Sequence, residues 1–286
     1  MKETATIGGD TMVREESKTA KSNEFYLHAP ARTVTYTGPM RLEIAYATPK
    51  KKVVAIVPAR GNSKRVPRKN MKLLGNKPLI QYTLDAALNA KSIETVFVTT
   101  EDDEIGDFCF NYGNGKVRVI RRPAYLSRDD VQNDEVTLQA YRVIQEKGYE
   151  PDTLVLLQPT SPFRSSDDVD GAVSLYLGNS PLKETVVAVY RDYKFHWAED
   201  VGHIYESGHN AEKRLGKQWI KDSEGLYAEN GAVYVFDAAR FGAERNVRMS
   251  PFIPYVMSEE RSLDIDTEFD WLVAEQLVAQ GFGNDK

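Results

Sequence analysis

The 286-residue sequence contains one cysteine, Cys109, so neither an internal disulfide nor a zinc site built on two thiolates can form. No apolar run reaches the roughly 18 residues that a membrane-spanning helix needs. The first residues, MKETATIGGDTMVREESK, lack the apolar core of a signal peptide. These absences predict a protein of a reducing compartment, the cytoplasm, that does not act in a membrane.

Strong positive charge is also missing. The net charge of −5 argues against attraction of the whole surface to nucleic acid, although a local basic patch could still bind phosphate. No G-x-S-x-G elbow and no second cysteine point to covalent catalysis. With 41% hydrophobic and 28% charged residues, the chain has the composition of a globular protein rather than of a disordered one.

The composition changes near residue 50. Residues 1 to about 24 are polar and aperiodic, which predicts a mobile tail. Between Thr33 and Thr48, Thr, Val, Tyr and Ile alternate around Gly38-Pro39, which predicts two short strands joined by a turn. We therefore expect an N-terminal extension over residues 1–50, whose hairpin is an accessory element or a partner-binding arm, and a separate domain over residues 51–286.

Beyond residue 51, short apolar runs typical of buried strands alternate with segments of helical periodicity. The predicted strands are 53–59, 95–100, 117–120 and 153–158, and the predicted helices are 78–88, 102–113, 135–147 and 267–281. This alternation predicts an α/β fold with a mostly parallel sheet and helices on both faces. Residues 180–230 break the rhythm and are rich in Tyr, Trp, His and Gly, which predicts an inserted arm over about residues 190–228 that packs on a partner subunit.

A basic loop, PARGNSKRVPRKN at residues 58–70, follows the first predicted strand. Ligands of α/β sheets bind where strands end and helices begin. Gly61 permits a tight turn that offers N–H groups to an anion, and the loop matches neither the P-loop pattern nor G-x-G-x-x-G. A triphosphate is the natural target of so dense a cationic loop, and a solvated basic turn is the alternative. Its cations are Arg60, Lys64, Arg65, Arg68 and Lys69.

A pair of carboxylates occurs in Leu263-Asp264-Ile265-Asp266, just before the last predicted helix. In extended backbone, residues i and i+2 point to the same side, so Asp264 and Asp266 are expected to converge while Leu263 and Ile265 pack behind them. Two close carboxylates repel unless a cation or a shared proton relieves them. A hard ion, Mg²⁺ or Mn²⁺, held by these carboxylates and by substrate phosphates fits the pattern.

A third candidate lies in LLQPTSPFR, residues 156–164. Gln158 is a neutral side chain at the carboxyl end of a predicted strand, where it could hydrogen-bond a sugar hydroxyl or a carbonyl. Capping of local backbone in a tight turn is the alternative for this residue.

Five ordered segments make the chain resemble the acylneuraminate cytidylyltransferases, the family of CMP-sialic acid synthetases and their relatives for legionaminic and pseudaminic acids. The segments are AIVPARGNSKRVPRKN, RRPAYL, LLQPTSPFR, ENGAVYVFD and SLDIDTEFD. The resemblance covers roughly residues 52–286 and leaves residues 1–50 outside. It implies a Rossmann-like nucleotidyltransferase fold, a homodimer and dependence on Mg²⁺.

The resemblance also implies a reaction, in which CTP and a nine-carbon α-keto acid sugar, a nonulosonic acid, give a CMP-sugar and pyrophosphate. The residues that match the family's motifs receive its roles. The resemblance implies catalytic roles for Arg60, Lys64, Lys69 and Asp266, nucleotide binding by Arg60, Gly61, Asn62, Ser63, Lys64, Asn70 and Arg122, sugar binding by Gln158, Asn230 and Tyr234, and metal binding by Asp264 and Asp266.

Some features of the implied reaction stay open. We expect backbone near Ala59 and side chains such as Asn133 to help distinguish cytosine from uracil. Lys217-Gln218 stands where relatives often carry a sugar-binding arginine, so that contact is open. Alternatives to the nine-carbon reaction are a cytidylyltransferase for an eight-carbon sugar of the Kdo type and a non-catalytic relative that binds nucleotide or sugar.

Overall fold

The computed structural model describes backbone and side chains of residues 52–178, 184–194, 196 and 226–283. It describes the backbone alone of residues 4–7, 10–14, 23–27, 32–36, 42–46, 197–200 and 203–207. The chain divides into two compact units, Met1–Lys51 and Lys52–Lys286.

The first unit contains a five-stranded antiparallel sheet in which each strand pairs with the next along the chain. Its strands are β1 (Thr4–Ile7), β2 (Asp10–Arg14), β3 (Asn23–Leu27), β4 (Arg32–Tyr36) and β5 (Leu42–Tyr46). The predicted hairpin coincides with β4 and β5. The structure differs from the predicted tail, because β1, β2 and the first two residues of β3 lie within it. Alternations of four or five residues are too short to stand out in a polar segment.

The second unit alternates strands with helices. Its strands are β6 (Val53–Pro58), β7 (Leu73–Leu74), β8 (Lys77–Pro78), β9 (Thr95–Thr100), β10 (Val117–Arg121), β11 (Thr153–Leu156), β12 (Thr185–Asp192), β13 (His196–Asp200), β14 (His203–Ser207), β15 (Leu226–Asp237) and β16 (Phe252–Met257). Its helices are α1 (Leu79–Asn89), α2 (Asp103–Tyr112), α3 (Asn133–Glu146), α4 (Ser166–Gly178), α5 (Ala238–Glu244) and α6 (Glu268–Ala279).

Seven strands form the main sheet, in the order β10-β9-β6-β11-β15-β12-β16. The strands β10, β9, β6 and β11 are parallel neighbours, and β16 is parallel to β12. Only β15 runs antiparallel to its neighbours β11 and β12. The prediction of an α/β fold with a mostly parallel sheet is therefore confirmed.

The central strand β6 is buried on both faces, as its continuous apolar run predicts. Val53, Ala55 and Val57 join one core cluster, which includes buried residues of α1, α2 and α4. Val54 and Ile56 join the opposite cluster, which includes buried residues of α3 and α5. Successive side chains of one strand thus hold a helical layer on each face of the sheet.

A third core cluster fixes the last helix and the segment before it. Trp271 and Ala274 of α6 pack with Ile265 and with Val66 of the basic loop. Thr267 caps α6, and Asp270 accepts the Thr267 backbone N–H in return, which is the predicted capping box. The segment Asp264–Asp266 is therefore anchored from both sides.

The inserted arm is described only in part. Within residues 190–228 the structure gives the end of β12, the antiparallel hairpin β13–β14 and the start of β15. Lys217 and Gln218, the positions of the open sugar contact, lie outside the described residues. Of the helices that the structure describes, none combines the length and the apolar character needed to cross a bilayer.

Candidate active site

The loops that carry the candidate residues meet at the carboxyl edge of β6, β9, β10 and β11. Backbone hydrogen bonds continue the sheet past the strand ends: Ala59 N–H donates to the Thr99 carbonyl at 3.0 Å, and Arg122 N–H donates to the Thr100 carbonyl at 2.8 Å. Ile265 N–H donates to the Thr160 carbonyl at 2.8 Å, which ties the acidic segment to the loop after β11. Four distant stretches of sequence are thereby held at one edge of the sheet.

A cavity of about 470 Å³, which we call the first chamber, opens at this edge. Among the residues that line it, basic side chains outnumber acidic ones. The basic residues are Arg60, Lys64, Arg65, Lys69, Arg122 and Arg128, the acidic ones Asp129 and Asp266, and the neutral polar ones Ser63, Asn70, Asn133, Gln158 and Thr160. This excess of positive charge suits a polyphosphate ligand.

The basic loop is fixed from within. Val66 is buried in the third core cluster, and the Asn70 amide donates to the Arg60 carbonyl at 2.8 Å, which closes the loop on itself. The ammonium of Lys69 donates to the Ile265 carbonyl and lies 3.4 Å from Asp266 Oδ1. Burial lowers the pKa of Lys69, and the charge of Asp266 opposes that shift.

Gly61 and Arg68 of the loop lie outside the wall of the first chamber. The N–H of Gly61 donates to the carboxylate of Glu101, at 2.8 Å from Oε1. A Cβ at this position would lie 2.2 Å from Asp102 Oδ2, so the glycine permits a close approach to Asp102. Arg68 also lies outside the chamber wall, because its guanidinium pairs with Asp102 and Glu104.

Asp129 holds two of the chamber's cations. Its Oδ1 lies 2.7 Å from Arg60 Nη1 and its Oδ2 lies 2.5 Å from Lys64 Nζ. The hydrogen bond and charge of Lys64, together with Arg60, lower the pKa of Asp129 below its ordinary value. The carboxylate thus occupies a position between two cations where a phosphate oxygen would also be stabilised.

Arg122 brings a buried guanidinium to the wall of the first chamber. Only 4% of the residue is exposed, and its Nη2 donates to the Thr99 carbonyl at 2.6 Å. Burial lowers its pKa to about 10, and the charge of Glu101 acts against that shift. Among the described residues no carboxylate lies within ion-pair distance of Arg122, so an anionic ligand would supply its missing counter-charge.

Arg164 is a second buried guanidinium, but it serves the scaffold. It donates to the carbonyls of Gln158 and Ala232 and, at 2.5 Å, to the Thr83 hydroxyl. It thereby ties the loop after β11 to β15 and to α1. Burial lowers its pKa to about 9, with Asp168 and Asp264 acting in the opposite direction. Arg164 therefore fixes the backbone that carries Gln158.

The two carboxylates of the acidic segment lie in different surroundings. Asp266 lines the first chamber with its side chain 47% exposed, and Arg65 Nη2 lies 3.3 Å from its Oδ2. Asp264 is largely buried and does not line the chamber. Burial raises the pKa of Asp264, and the negative charge of Asp266 acts in the same direction. Ile265 is fully buried between them, as the alternating pattern predicts.

The acidic pair fits a divalent cation. Asp264 Oδ1 is buried and has no hydrogen-bond partner among the described residues, which is costly for a carboxylate oxygen unless a cation compensates it. Carboxylate oxygens are the donors that Mg²⁺ prefers. In the described part of the chain no three acidic, histidine or cysteine side chains form a group that could hold a metal alone. Phosphate oxygens and water would have to complete the coordination.

A second chamber of about 370 Å³ adjoins the first and shares Val131, Asn133 and Gln158 with it. Its remaining lining residues are Gln132, Leu156, Tyr234, Val247 and Arg248. The hydroxyl of Tyr234 donates to Glu229 Oε1, and burial followed by this carboxylate raises the pKa of Tyr234. Neutral polar groups beside apolar ones suit a polyhydroxylated ligand.

The structure brings most of the predicted site residues together, with Gly61, Asn62, Asn230 and Asp264 outside both chambers. Asn62 lines an adjoining surface pocket, which shares Lys64, Arg128 and Asp129 with the first chamber. Asn230 is 2% exposed, and its side chain is occupied by Ala232 N–H at 3.0 Å and Ser262 Oγ at 2.9 Å. The sugar contact of Asn230 stays a prediction. The amide of Asn230 holds β15 against the segment after β16.

Sequence reasoning missed several residues of the site. Arg128 and Asp129 follow the RPA motif directly, so their charges next to a predicted phosphate site were a usable signal. Arg248 belongs to no motif and lies 14 residues beyond Tyr234, so only the folded chain shows that both line one chamber. Arg164 ends the QPTSPFR motif, but its role depends on contacts with α1 and β15.

Comparison with known families gives one matching model, described as cytidylyltransferase, over residues 54–248. The chain is 29% identical over 233 residues to the CMP-N,N'-diacetyllegionaminic acid synthase of Legionella pneumophila, covering 79% of this chain and 96% of that protein. It is 32% identical over 223 residues to the N-acylneuraminate cytidylyltransferase of Escherichia coli, covering 78% of this chain and 51% of that one. The chain thus spans about half the length of that second relative.

Solved structures share the architecture. A CMP:2-keto-3-deoxy-manno-octonic acid synthetase complexed with CTP superposes with a TM-score of 0.58 at 17% identity, covering 80% of this chain and 99% of that one. A 4-diphosphocytidyl-2C-methyl-D-erythritol synthase gives the same TM-score, 0.58, at 13% identity. At these identities the likeness concerns the fold.

Proposed function

The chain belongs to the cytidylyltransferase family, and we propose that it transfers the CMP group of CTP to a nine-carbon α-keto acid sugar, releasing pyrophosphate. Its matches to a diacetyllegionaminic acid synthase and to an N-acylneuraminate cytidylyltransferase support a nonulosonic acid as the sugar. The two adjoining chambers support the same reaction, because one suits a polyphosphate and the other suits a polyhydroxylated ligand.

One observation carries the proposal: Arg122 is a buried guanidinium without a carboxylate partner among the described residues, and it lines the same chamber as Asp266. A buried cation is costly unless an anion pairs with it. A nucleoside triphosphate supplies that anion and accounts for the other cations of the chamber.

In the proposed mechanism, the anomeric hydroxyl of the sugar attacks the α-phosphorus of CTP, and pyrophosphate leaves from the opposite side. The new bond joins the sugar oxygen to the α-phosphorus, the bond from that phosphorus to the pyrophosphate oxygen breaks, and the proton of the hydroxyl passes to water. Arg60, Lys64 and Lys69 would stabilise the negative charge that develops on the departing pyrophosphate. Asn70 keeps Arg60 in place through the Arg60 carbonyl. Gln158 lines both chambers, so it can orient the sugar towards the nucleotide.

Asp264 and Asp266 would hold a divalent cation, for which we propose Mg²⁺. When bound there, the ion supplies charge stabilisation at the phosphate oxygens and lowers the pKa of a hydroxyl that it contacts. Lys69 holds Asp266 from the side of the basic loop, and Ile265 N–H bound to Thr160 fixes the segment beneath it.

Pyrophosphate release tests the proposal. Each of the four nucleoside triphosphates would be offered with N-acetylneuraminate, legionaminate, pseudaminate or an eight-carbon Kdo-type sugar, with and without Mg²⁺. We expect release only with CTP, a nonulosonic acid and Mg²⁺. If pyrophosphate is released only when the Kdo-type sugar is the acceptor, the enzyme acts on eight-carbon sugars. No release from folded protein with any pair would contradict the enzymatic proposal and favour a binding role.

We further propose a cytoplasmic homodimer in which the arm of residues 190–228 packs on the partner subunit. The aromatic and glycine-rich composition of the arm supports this, since aromatic side chains are enriched in subunit interfaces. The buried thiol of Cys109 suits the reducing cytoplasm. Sedimentation of the intact chain should give a dimer, and a monomer at micromolar concentration would contradict the assembly. Deleting residues 1–50 should leave that state unchanged if they form a separate unit.

A further inference from the structure

The second chamber contains one cation that no motif of the chain identifies. Of the described residues lining it, Arg248 is the only basic one, and none is acidic. Half of the Arg248 side chain is exposed. It lies on the segment between α5 and β16, far along the sequence from the basic loop.

The partners of Arg248 hold it loosely. Its Nη2 lies 3.5 Å from Asp134 Oδ2 and its Nη1 lies 3.9 Å from Glu229 Oε1. Both distances exceed those of an ordinary hydrogen bond, so the two carboxylates attract the guanidinium without saturating its donors. Each carboxylate also has a nearer donor, since Asp134 Oδ1 accepts the Val247 N–H at 2.6 Å and Glu229 accepts the Tyr234 hydroxyl.

The proposed sugar brings one formal charge into this chamber. An α-keto acid sugar carries a carboxylate on its anomeric carbon, next to the hydroxyl that attacks phosphorus. The cations of the first chamber are matched by a triphosphate, whose charge they would neutralise. A carboxylate that enters a cavity needs a cation and hydrogen bonds of its own, and a guanidinium can give it two parallel ones.

We infer that Arg248 is a specificity residue that binds the carboxylate of the acceptor sugar at the junction of the two chambers. The inference rests on the proposed function and names the group that selects acidic sugars over neutral ones. Asn133 and Gln158 line both chambers, so a sugar held by Arg248 and Tyr234 has its anomeric end beside the first chamber. Glu229 opposes an acidic ligand by its charge and would limit the affinity.

Kinetics with a charged and an uncharged form of the same sugar test the inference. At saturating CTP, Arg248→Met should raise the KM of the free acid about tenfold, because one charge-assisted pair is lost. The C1 methyl ester of the sugar serves as a competitive inhibitor of the acid. Its inhibition constant for Arg248→Met should stay within twofold of its value for the native enzyme. The KM of the acid for Arg248→Lys should lie between the values for the native enzyme and for Arg248→Met, because lysine keeps the positive charge but lacks the planar guanidinium. Glu229→Gln should lower the KM of the acid and leave the inhibition constant of the ester unchanged.

Arg245→Met is the matched control, because Arg245 is exposed on the same segment, ends α5 and lines neither chamber. Arg245→Met should keep the native KM for the acid and the native inhibition constant for the ester. An equal loss of acid and ester binding in Arg248→Met would overturn the carboxylate assignment, and so would an unchanged KM for the acid. A native enzyme that releases no pyrophosphate with any acidic sugar would instead contradict the proposed function, so the two failures are distinguishable.

Discussion

The two chambers share a wall but differ in charge. The first is lined by six basic and two acidic side chains, whereas the second is lined by one basic and no acidic side chain among the described residues. The difference follows from the segments that build them. The basic loop and the RPA segment face the first chamber, whereas Leu156 of β11, Tyr234 of β15 and Val247 face the second. Under the proposed function, the difference means that the triphosphate and the sugar are recognised by separate groups of residues.

The largest expected effect concerns the carboxylate on the phosphate side. Asp266→Asn should lower kcat about 100-fold at saturating Mg²⁺, because a preorganised charge contact at the reacting phosphate is lost. The KM of the sugar should change little, because Asp266 does not line the second chamber. Steady-state pyrophosphate release measures both constants.

Glu268→Gln is the control for Asp266→Asn. Glu268 lies two residues further along, is exposed and pairs with Lys72 at 3.2 Å, away from both chambers. Its removal should leave kcat near the native value. Near-native turnover of Asp266→Asn would exclude Asp266 from the metal site. If Asp266→Asn raised the KM of the sugar by as large a factor as it lowers kcat, the two chambers would not be separate in function.

A smaller loss of activity is expected when Arg122 is replaced, and it tests the role of the first chamber in binding the nucleotide. Arg122→Met should lower kcat/KM for CTP about 30-fold, because charge-assisted hydrogen bonds contribute about 2 kcal/mol. The same variant should melt at the native temperature or above it, since it removes a buried charge without a carboxylate partner. The Thr99 carbonyl keeps its bond from Ala59 N–H, so no acceptor is orphaned.

The adjacent Arg121 provides the control for Arg122. Arg121 is exposed and pairs with Asp103 on α2. Arg121→Met should retain native kcat/KM for CTP. If the Arg122 variant unfolded at a lower temperature and kept its CTP kinetics, Arg122 would be a structural residue like Arg164. Thermal denaturation and kinetics on the same preparations decide between these outcomes.

The sequence predicts the sheet well and the assembly of the site less completely. Continuous apolar runs such as that of β6 and the capping box at Thr267 are local signals, and the structure has both. The strands of the first unit are short and lie in polar sequence, so their alternation is weak. The pairing of these strands depends on contacts between neighbouring strands and not on the sequence of any single strand.

For the site, motif membership predicts which loops meet but not which atoms of a loop face the ligand. Gly61 and Asn230 belong to motifs, yet Glu101 and Ser262 occupy their polar groups. Those partners are 32 to 40 residues away in sequence, so no local pattern indicates them. Arg248 shows the converse, because a residue outside every motif reaches a chamber wall through the path of β15 and α5.

The smallest expected effect concerns Asp129, an acidic residue in the basic chamber. Asp129→Asn should lower the KM for CTP about threefold, because Arg60 and Lys64 would no longer have to exchange a carboxylate for a phosphate. Exposed ion pairs are weak, so the change should be modest and should shrink as salt is raised from 50 to 300 mM. The KM of the sugar should not change.

Asp130→Asn removes the same charge one residue away. Asp130 does not line the first chamber but pairs at 3.2 Å with Arg128, which does, so its loss tests whether removing the counter-ion of any chamber cation lowers the KM. Equal effects of the two variants would mean that the carboxylate of Asp129 has no special position. A higher KM in Asp129→Asn would mean that Asp129 orients Arg60 and Lys64 for the triphosphate instead of competing with it. A lower KM confined to Asp129→Asn would make this carboxylate a counter-ion that CTP displaces, and the charge contrast between the chambers would then be greater with CTP bound than the free protein shows.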